Sequence, residues 1–423
     1  MTGLISDCSQ FSVALMGARM HYAVPRLLHQ HGLLSRFYAD ICAVRGWPAV
    51  LPHLPRRILP AALRRLSARV PEGIPRSLIV AFTAFGLEYQ RRRSSAHSVS
   101  ELTSVHLWAG KTFNELILSA RPPQNTSLYC FNSAGLELLQ AWGDRNLTMI
   151  EQTIAPRRVE ERILMEQEEA FPGWQAPLPK DANVDAYMVR EEMEWRAARV
   201  IVCGSEFVRN GIRECGGPVD RCVVVPYGIA LRDYAVGDRR PPNGRPLRVL
   251  TVGEVGLRKG THQVLAVAKK LKGRAEFRLA GTMGLLPQRE EELRRQVEWV
   301  GVVPRHEIAD HFRWADVFLL PSWCEGSATA TYEALAAGLP VLTTPNAGSI
   351  VEDQLSGFIV AAGDVASIVE RLERFLSRPA LLSDMSQAAL QRSRFGTLEA
   401  YAARLMNAIQ QGQANMANSF VPL

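Results

Sequence analysis

Between residues 247 and 376, short β-rich runs alternate with helical patterns without interruption, and this alternation restricts the fold more than any other feature of the chain. LRVLTVG (247–253) precedes a helical pattern after Gly260, in which Val264, Leu265, Ala268 and Leu271 fall at i, i+1, i+4 and i+7; Gly273 ends it. EFRLAG (276–281), an acidic helical stretch around 290–298, WVGVV (299–303), a short helix over 306–315 and the strand VFLLPS (317–322) follow. A helix near 329–337 closed by Gly338, then PVLTT (340–344), FIV (358–360) and a helix from Val365 to about Leu376 complete the series. Strand, helix, strand in succession demands right-handed parallel crossovers, so the expected class is α/β with a doubly wound sheet.

The first half has a weaker version of the same rhythm. VALMG (13–17) leads to a helix over 22–31 stopped at Gly32, and LYCFN (128–132), LTMIE (147–151), RVIVCGS (199–205) and CVVVP (222–226) read as strands. RRPPNGRP (239–246), with consecutive prolines and an Asn-Gly turn signal, is the best linker in the sequence. The expected organisation is a first Rossmann-like domain over 1–238, the linker over 239–246, a second such domain over 247–394, and a terminal helix and tail over 395–423. The Pro-rich stretch FPGWQAPLPK (171–180) is expected to be a surface loop inside the first domain.

With 423 residues, 47% hydrophobic and 22% charged, the chain can fill two cores and does not have the composition of a disordered polypeptide. Its seven cysteines are scattered and form no C-x-x-C pair, which argues against a disulfide framework or a zinc knuckle and for a reducing, cytoplasmic setting. The first twenty residues lack a basic segment ahead of an apolar run, so no signal peptide is expected. LIVAFTAFGL (78–87) is about half the ~20 residues needed to cross a bilayer.

The net charge of +7 is localised. Residues 51–93 hold nine arginines and two acids, an excess equal to that of the whole chain. The remainder is balanced, which argues against a nucleic-acid surface and for one basic patch. Leu63, Leu66 and Val70 recur at i, i+3 and i+7 beside Arg57, Arg64, Arg65 and Arg69, so this segment is expected to form a cationic amphipathic helix suited to the anionic inner face of a membrane.

Two constellations could carry chemistry. In PSWCEGSATATYEALAAGLPV (321–341), Glu325 and Glu333 bracket a helix start expected among Gly326 to Thr329, on the order of 10 Å apart at helical rise. Carboxylates accept hydrogen bonds from vicinal hydroxyls, and a helix start favours an anion between them, so the spacing suits a polyol, anion, polyol ligand. In VGEVGLRKG (252–260), a strand ending at Gly253 and a turn place Arg258 and Lys259 ahead of the next helix, where two cations would neutralise a departing diphosphate. Both strand ends belong to one sheet and open into one crevice. Gly17, Arg19 and His21 follow the first strand; His29, His31, His306 and His311 are spaced poorly for metal binding.

These motifs resemble those of the large retaining glycosyltransferase family 4: residues 321–341 its Glu-x7-Glu signature, VGEVGLRKG its phosphate-contact loop, and CVVVPYGI, RVIVCGSEFVRNGI and GFIVAAGDVASIVERL elements in the same order. The resemblance implies a GT-B architecture of two Rossmann-like domains facing a cleft, with the last helix, FGTLEAYAARLMNAI (395–409), crossing back to the first. It also implies transfer of a sugar from a nucleoside diphosphate donor to a saccharide or lipid-linked hydroxyl acceptor, with retention and without a metal or other cofactor, in polysaccharide or glycolipid assembly. By the same resemblance Glu333 would hold the ribose, Glu325 the transferred sugar, Arg258 and Lys259 the diphosphate; Gly253 would lie at the donor, and Gly326, Ser327 and Ala328 would offer backbone N–H groups. The sequence agrees in having no D-x-D triplet at a strand end.

The chain departs from that pattern in three places. Relatives carry Arg after the strand-end glycine where this chain has Glu254, Gly-Phe-Gly where it has Gly326, Ser327 and Ala328, and a first-domain His where it offers Glu151 and Gln152. Glu151 is therefore an acceptor-side candidate, and by the same resemblance so are Gly17, Arg19 and His21, which stand where relatives have a glycine-rich loop lining the cleft. The departures also admit a non-catalytic GT-B scaffold as an alternative. A GT-B epimerase would use the same clamp differently, and a phosphorylase would need a pyridoxal-bearing lysine for which no signature is present.

Overall fold

The computed structural model describes residues 10–419 apart from 124, 178–181, 232–233, 235–243 and 305. Seven strands, β1 (Phe11–Leu15), β2 (Leu34–Ala39), β3 (Ile79–Ala81), β4 (Ser127–Phe131), β5 (Thr148–Gln152), β6 (Val200–Cys203) and β7 (Cys222–Val224), form a parallel sheet in the order β3-β2-β1-β4-β5-β6-β7. A second parallel sheet holds β8 (Leu247–Val252), β9 (Ala275–Ala280), β10 (Glu298–Trp299), β11 (Val317–Leu320), β12 (Val341–Thr343) and β13 (Gly357–Ile359) in the order β10-β9-β8-β11-β12-β13. The α/β reading of the sequence is borne out: strand order reverses at β1/β4 in one sheet and at β8/β11 in the other, the switch points where doubly wound folds open a ligand crevice.

Both sheets are covered on both faces, which is why their strands are apolar throughout. Phe11, Val13 and Leu15 of β1 enter one core while Ala14 enters the other; in β11, Val317 and Leu319 point one way and Phe318 and Leu320 the other. The helix Leu398–Ser419 returns to the first sheet, where Tyr401, Leu405, Ala408 and Ile409 pack in the same core as Phe11, Val13 and Val202. Ile229 N–H donates to Gly396 O at 2.9 Å and Arg404 donates to Pro226 O, tying the turn before that helix to the end of the first sheet.

Four local expectations are corrected. Of WVGVV only Trp299 is in a strand, the two-residue β10, which lies at the sheet edge; Val302 beyond it points into solvent. The loop beginning at 171 does not stay within the first domain: Trp174 is buried in the second domain's core, and Gln175 Oε1 accepts from Leu257 N–H at 2.8 Å. The helix in the basic segment is short, Ala61–Ser67, and Leu63 and Leu66 are half-buried, so it presents no apolar stripe to solvent. β2 and β3 appear where no strand was expected. Residues 239–243 of the expected linker lie outside the described residues; Arg245, just beyond, forms a two-pronged ion pair with Asp316 at 2.6 and 2.8 Å.

Candidate active site

The carboxyl ends of β8 and β11 face those of β1, β5 and β7 across a cleft of about 940 Å³. Gly253, Arg258, Lys259, Glu325, Gly326, Ser327, Ala328 and Glu333 all line it from the second domain, and Arg19 and His21 from the first. Thus the two constellations meet in one crevice.

Their geometry centres on Glu325. Lys259 Nζ lies 2.6 Å from Glu325 Oε1 and Arg258 Nη1 lies 2.9 Å from the same oxygen. The Lys259 stem runs past Gly253, where a Cβ would stand 3.2 Å from Lys259 Cε, so the glycine leaves room for the cation at the strand end. Arg258 is shared more widely. It donates to Cys324 O at 3.2 Å and lies 3.6 Å from Glu254 and 4.0 Å from Glu160 of the first domain. The place of Glu254 thus becomes intelligible: it pairs with Arg258 instead of supplying a cation itself. Glu160, which no motif singled out, reaches this cluster from the helix Arg157–Ala170.

The helix after β11 starts at Thr329 with Ala328 as N-cap, so Glu333 sits in its second turn. Its Oε1 accepts from Tyr234 Oη at 2.8 Å. Ala328 lines the cleft, and its N–H donates to Ala347 O at 3.0 Å, which holds the loop against residues 345–348. Ser327 Oγ contacts Tyr332 Oη at 2.6 Å and Gly348 O at 3.2 Å. Gly326 meets the first domain: its carbonyl accepts from Ser205 Oγ at 2.5 Å, and a Cβ on it would stand 2.1 Å from Thr153 O.

On the first-domain side, Gly17 and Glu151 do not line the cleft. The Gly17 N–H is tied to Asp40 Oδ1 at 3.0 Å, which draws the turn after β1 away. Glu151, on β5, is fully buried and accepts from Tyr129 Oη at 2.7 Å and Tyr227 Oη at 2.8 Å. Burial raises its carboxyl above the ordinary range, against the opposing pull of Arg19 and the two hydroxyls. Arg19 Nη1 donates to Tyr227 Oη at 3.3 Å, so a buried Glu151–Tyr227–Arg19 chain sets the cation on the cleft wall. Met20, His21 and Tyr22 follow with φ of 46, 50 and 60°, three successive non-glycine residues in the left-handed region and a local strain at the mouth of the site. Gln152 is also buried, bonded to Glu191 at 2.7 Å and to Trp195 at 2.8 Å. Tyr227 stands in the quoted CVVVPYGI, but nothing in its spacing marked it as the link between Glu151 and Arg19.

Behind the loop that carries Arg258 and Lys259, His262 is 4% exposed in an aromatic box of Phe171, Trp174 and Trp323, with ring centroids at 4.2, 5.7 and 6.3 Å. Burial holds its pKa down to about 4, so the ring is neutral. Among the described residues no group of three or more His, Cys, Asp or Glu is arranged to hold a metal ion, and no helix is long and apolar enough to cross a membrane.

Residues 238–392 match the family described as glycosyl transferases group 1. The amylovoran biosynthesis glycosyltransferase AmsK of Erwinia amylovora is 30% identical over 175 residues, 38% of this chain and 43% of that protein. The chain spans less than half the length of the first curated relatives it matches. Sucrose-phosphate synthase from Thermosynechococcus elongatus superposes with a TM-score of 0.62 at 18% identity, over 96% of this chain and 100% of that one. HepE of Anabaena, solved with UDP, superposes with a TM-score of 0.58 at 12% identity, over 95% and 100%. The chain has the GT-B fold, and residues 238–392 carry the sequence pattern of the group 1 glycosyltransferases.

Proposed function

We propose that the protein is a glycosyltransferase that moves a sugar from a nucleoside diphosphate donor to a hydroxyl acceptor, with retained anomeric configuration and without a metal ion, in polysaccharide or glycolipid assembly. The observation that carries this reading is the placement of Lys259, Arg258, Glu325 and Glu333 in one cleft at the second sheet's switch point. Lys259 is the cation best set to receive a diphosphate, since Arg258 is divided among three carboxylates. Neutralising the leaving group in a cleft partly closed to water is an electrostatic contribution that needs no bound cation. Glu333, one helical turn inside the cleft, offers a carboxylate for a ribose diol. The relatives' names support the setting: AmsK is named for amylovoran biosynthesis, and HepE was solved with UDP.

The test is incubation of the purified protein with uridine, guanosine and adenosine diphosphate sugars and a panel of hydroxyl acceptors. Acceptor-dependent release of the free nucleoside diphosphate, unaffected by a chelator, with a product whose anomeric configuration by NMR matches the donor, is expected. Release of an epimeric sugar nucleotide would instead identify an epimerase. If no sugar nucleotide shifts the melting temperature and Glu333→Ala changes nothing, the protein is a scaffold and the reading fails.

A further inference from the structure

The first domain carries a surface that the transfer reading does not use. Trp47, Val50, Leu54 and Ile58 are exposed by 49, 58, 38 and 63%, four large apolar side chains within twelve residues. Their arrangement follows from the backbone. Trp47–His53 is a 3-10 helix, in which residues three apart eclipse, so Trp47 and Val50 share one edge, while Pro48 and Leu51 are buried. Ala61–Ser67 packs against this turn and contributes exposed Arg64 and Arg65, with exposed Arg57 between the two. From 41 to 71 the sequence contains six arginines and no Asp or Glu. A further arginine, Arg69, turns inward and pairs with the buried Asp40 at 3.0 Å, which anchors the end of the segment beside β2.

We infer that this platform, Trp47, Val50, Leu54 and Ile58 ringed by Arg57, Arg64 and Arg65, docks the protein on the surface of an anionic lipid bilayer. The charge pattern selects this occupant: apolar side chains with a Trp among them suit the interface between headgroups and acyl chains, and an acid-free arginine ring suits anionic headgroups. Each arginine near such a surface contributes about fivefold in affinity at low salt, and the effect fades over a Debye length. The chain runs on from this platform into the cleft wall. A few residues further on, Ala68, Val70 and Glu72 line the cavity beside Arg19, so a lipid-borne acceptor leaving the bilayer would enter at this wall. That consequence rests on the transfer reading; the docking itself does not.

The experiment is vesicle flotation with the full chain, using vesicles of phosphatidylcholine alone and of equal parts phosphatidylcholine and phosphatidylglycerol, at low and high salt. The wild type is expected to float with the anionic vesicles only, and to retain part of that binding at high salt through its apolar quartet. Trp47→Ala with Ile58→Ala should lose the salt-resistant part and about tenfold in affinity; Arg57→Gln with Arg64→Gln and Arg65→Gln should lose on the order of a hundredfold at low salt. All these side chains are exposed, and unchanged melting temperatures would verify folding. Val302→Ala, exposed on the second domain, should float like the wild type. No flotation at low salt, equal flotation on phosphatidylcholine alone, or variants that bind normally would each overturn the proposal. So would a concentration-dependent dimer that the Trp47→Ala, Ile58→Ala variant abolishes, since the occupant would then be a second copy. Donor turnover without flotation would reject the docking surface and leave the transfer reading intact; flotation without turnover would do the reverse.

Discussion

Lys259 Nζ and Glu325 Oε1 stand 2.6 Å apart with both side chains largely shielded from water, and the same oxygen takes Arg258 at 2.9 Å. On the proposed reading, a donor diphosphate and Glu325 would compete for the one Lys259 ammonium. Removing the carboxylate should free the cation. Glu325→Ala is expected to bind the free nucleoside diphosphate up to about tenfold more tightly while turnover falls by roughly a hundredfold or more. Lys259→Ala should lose both, leaving Glu325 with Arg258 alone. Calorimetric titration with the diphosphate and an assay of its release separate the two; near-normal turnover in either variant would remove that residue from the mechanism.

Tyr227 links the buried Glu151 to Arg19 through one hydroxyl, at 2.8 and 3.3 Å. Tyr227→Phe keeps the ring and deletes that link, leaving Glu151 bonded to the Tyr129 hydroxyl and Arg19 with freedom to swing. A polar group orphaned in this way costs about 1–3 kcal/mol, a loss to be read as a lower melting temperature. Since Arg19 lines the first-domain wall of the cleft, which the transfer reading assigns to the acceptor, KM for the acceptor should rise several-fold while nucleoside diphosphate affinity is unchanged. A fall in donor affinity instead would place Arg19 on the donor.

The second sheet was legible because each strand and helix has its own period and glycines such as Gly260, Gly273 and Gly338 mark where helices begin or end. Glu325, Glu333, Arg258 and Lys259 were readable for the same reason: short motifs at strand ends fix where side chains go. What escaped was set by contacts distant in sequence. Trp174 looks like a loop residue until the second domain's core closes over it, and the Glu151–Tyr227–Arg19 chain joins three segments that share no spacing. The basic segment misled because its apolar pattern fitted a helix, whereas its prolines at 48, 52, 55 and 60 hold much of it in 3-10 turns and shift the exposed apolar side chains to 47–58.

His262 offers a pH test. Its folded pKa is about 4 against an ordinary value of 6.5, with burial as the cause, so the folded state binds fewer protons than the unfolded one. The resulting stability is complete above about pH 6.5 and is lost as pH falls towards 4, by on the order of 1–3 kcal/mol. Both ring nitrogens are buried without a hydrogen-bond partner, so His262→Phe should be tolerated in the aromatic box and should remove this acid limb. Melting curves from pH 4.5 to 8 would show it as a gap between the two proteins that widens with acid. Because Trp323 stacks on His262 and precedes Glu325, wild-type activity should fall over the same window; parallel melting profiles would show that His262 does not titrate on unfolding.

Gly326 holds the two domains at contact distance. Its carbonyl accepts from Ser205, and a methyl group on its Cα would press to 2.1 Å from the Thr153 carbonyl and 2.9 Å from Ile154 Cα. Both obstacles are backbone at the end of β5, so neither can rotate aside. Gly326→Ala should relieve the clash by parting the domains, because each sheet with its own core is harder to deform than the seam between them. The expected result is at least a tenfold loss of turnover with a larger radius of gyration in solution scattering and only a modest fall in melting temperature. Nucleoside diphosphate affinity should change little, since Lys259, Glu325 and Glu333 all lie on one side of the seam. Full activity at an unchanged radius would mean that the strand end at Thr153 yields instead, and that contact across this seam does not govern transfer.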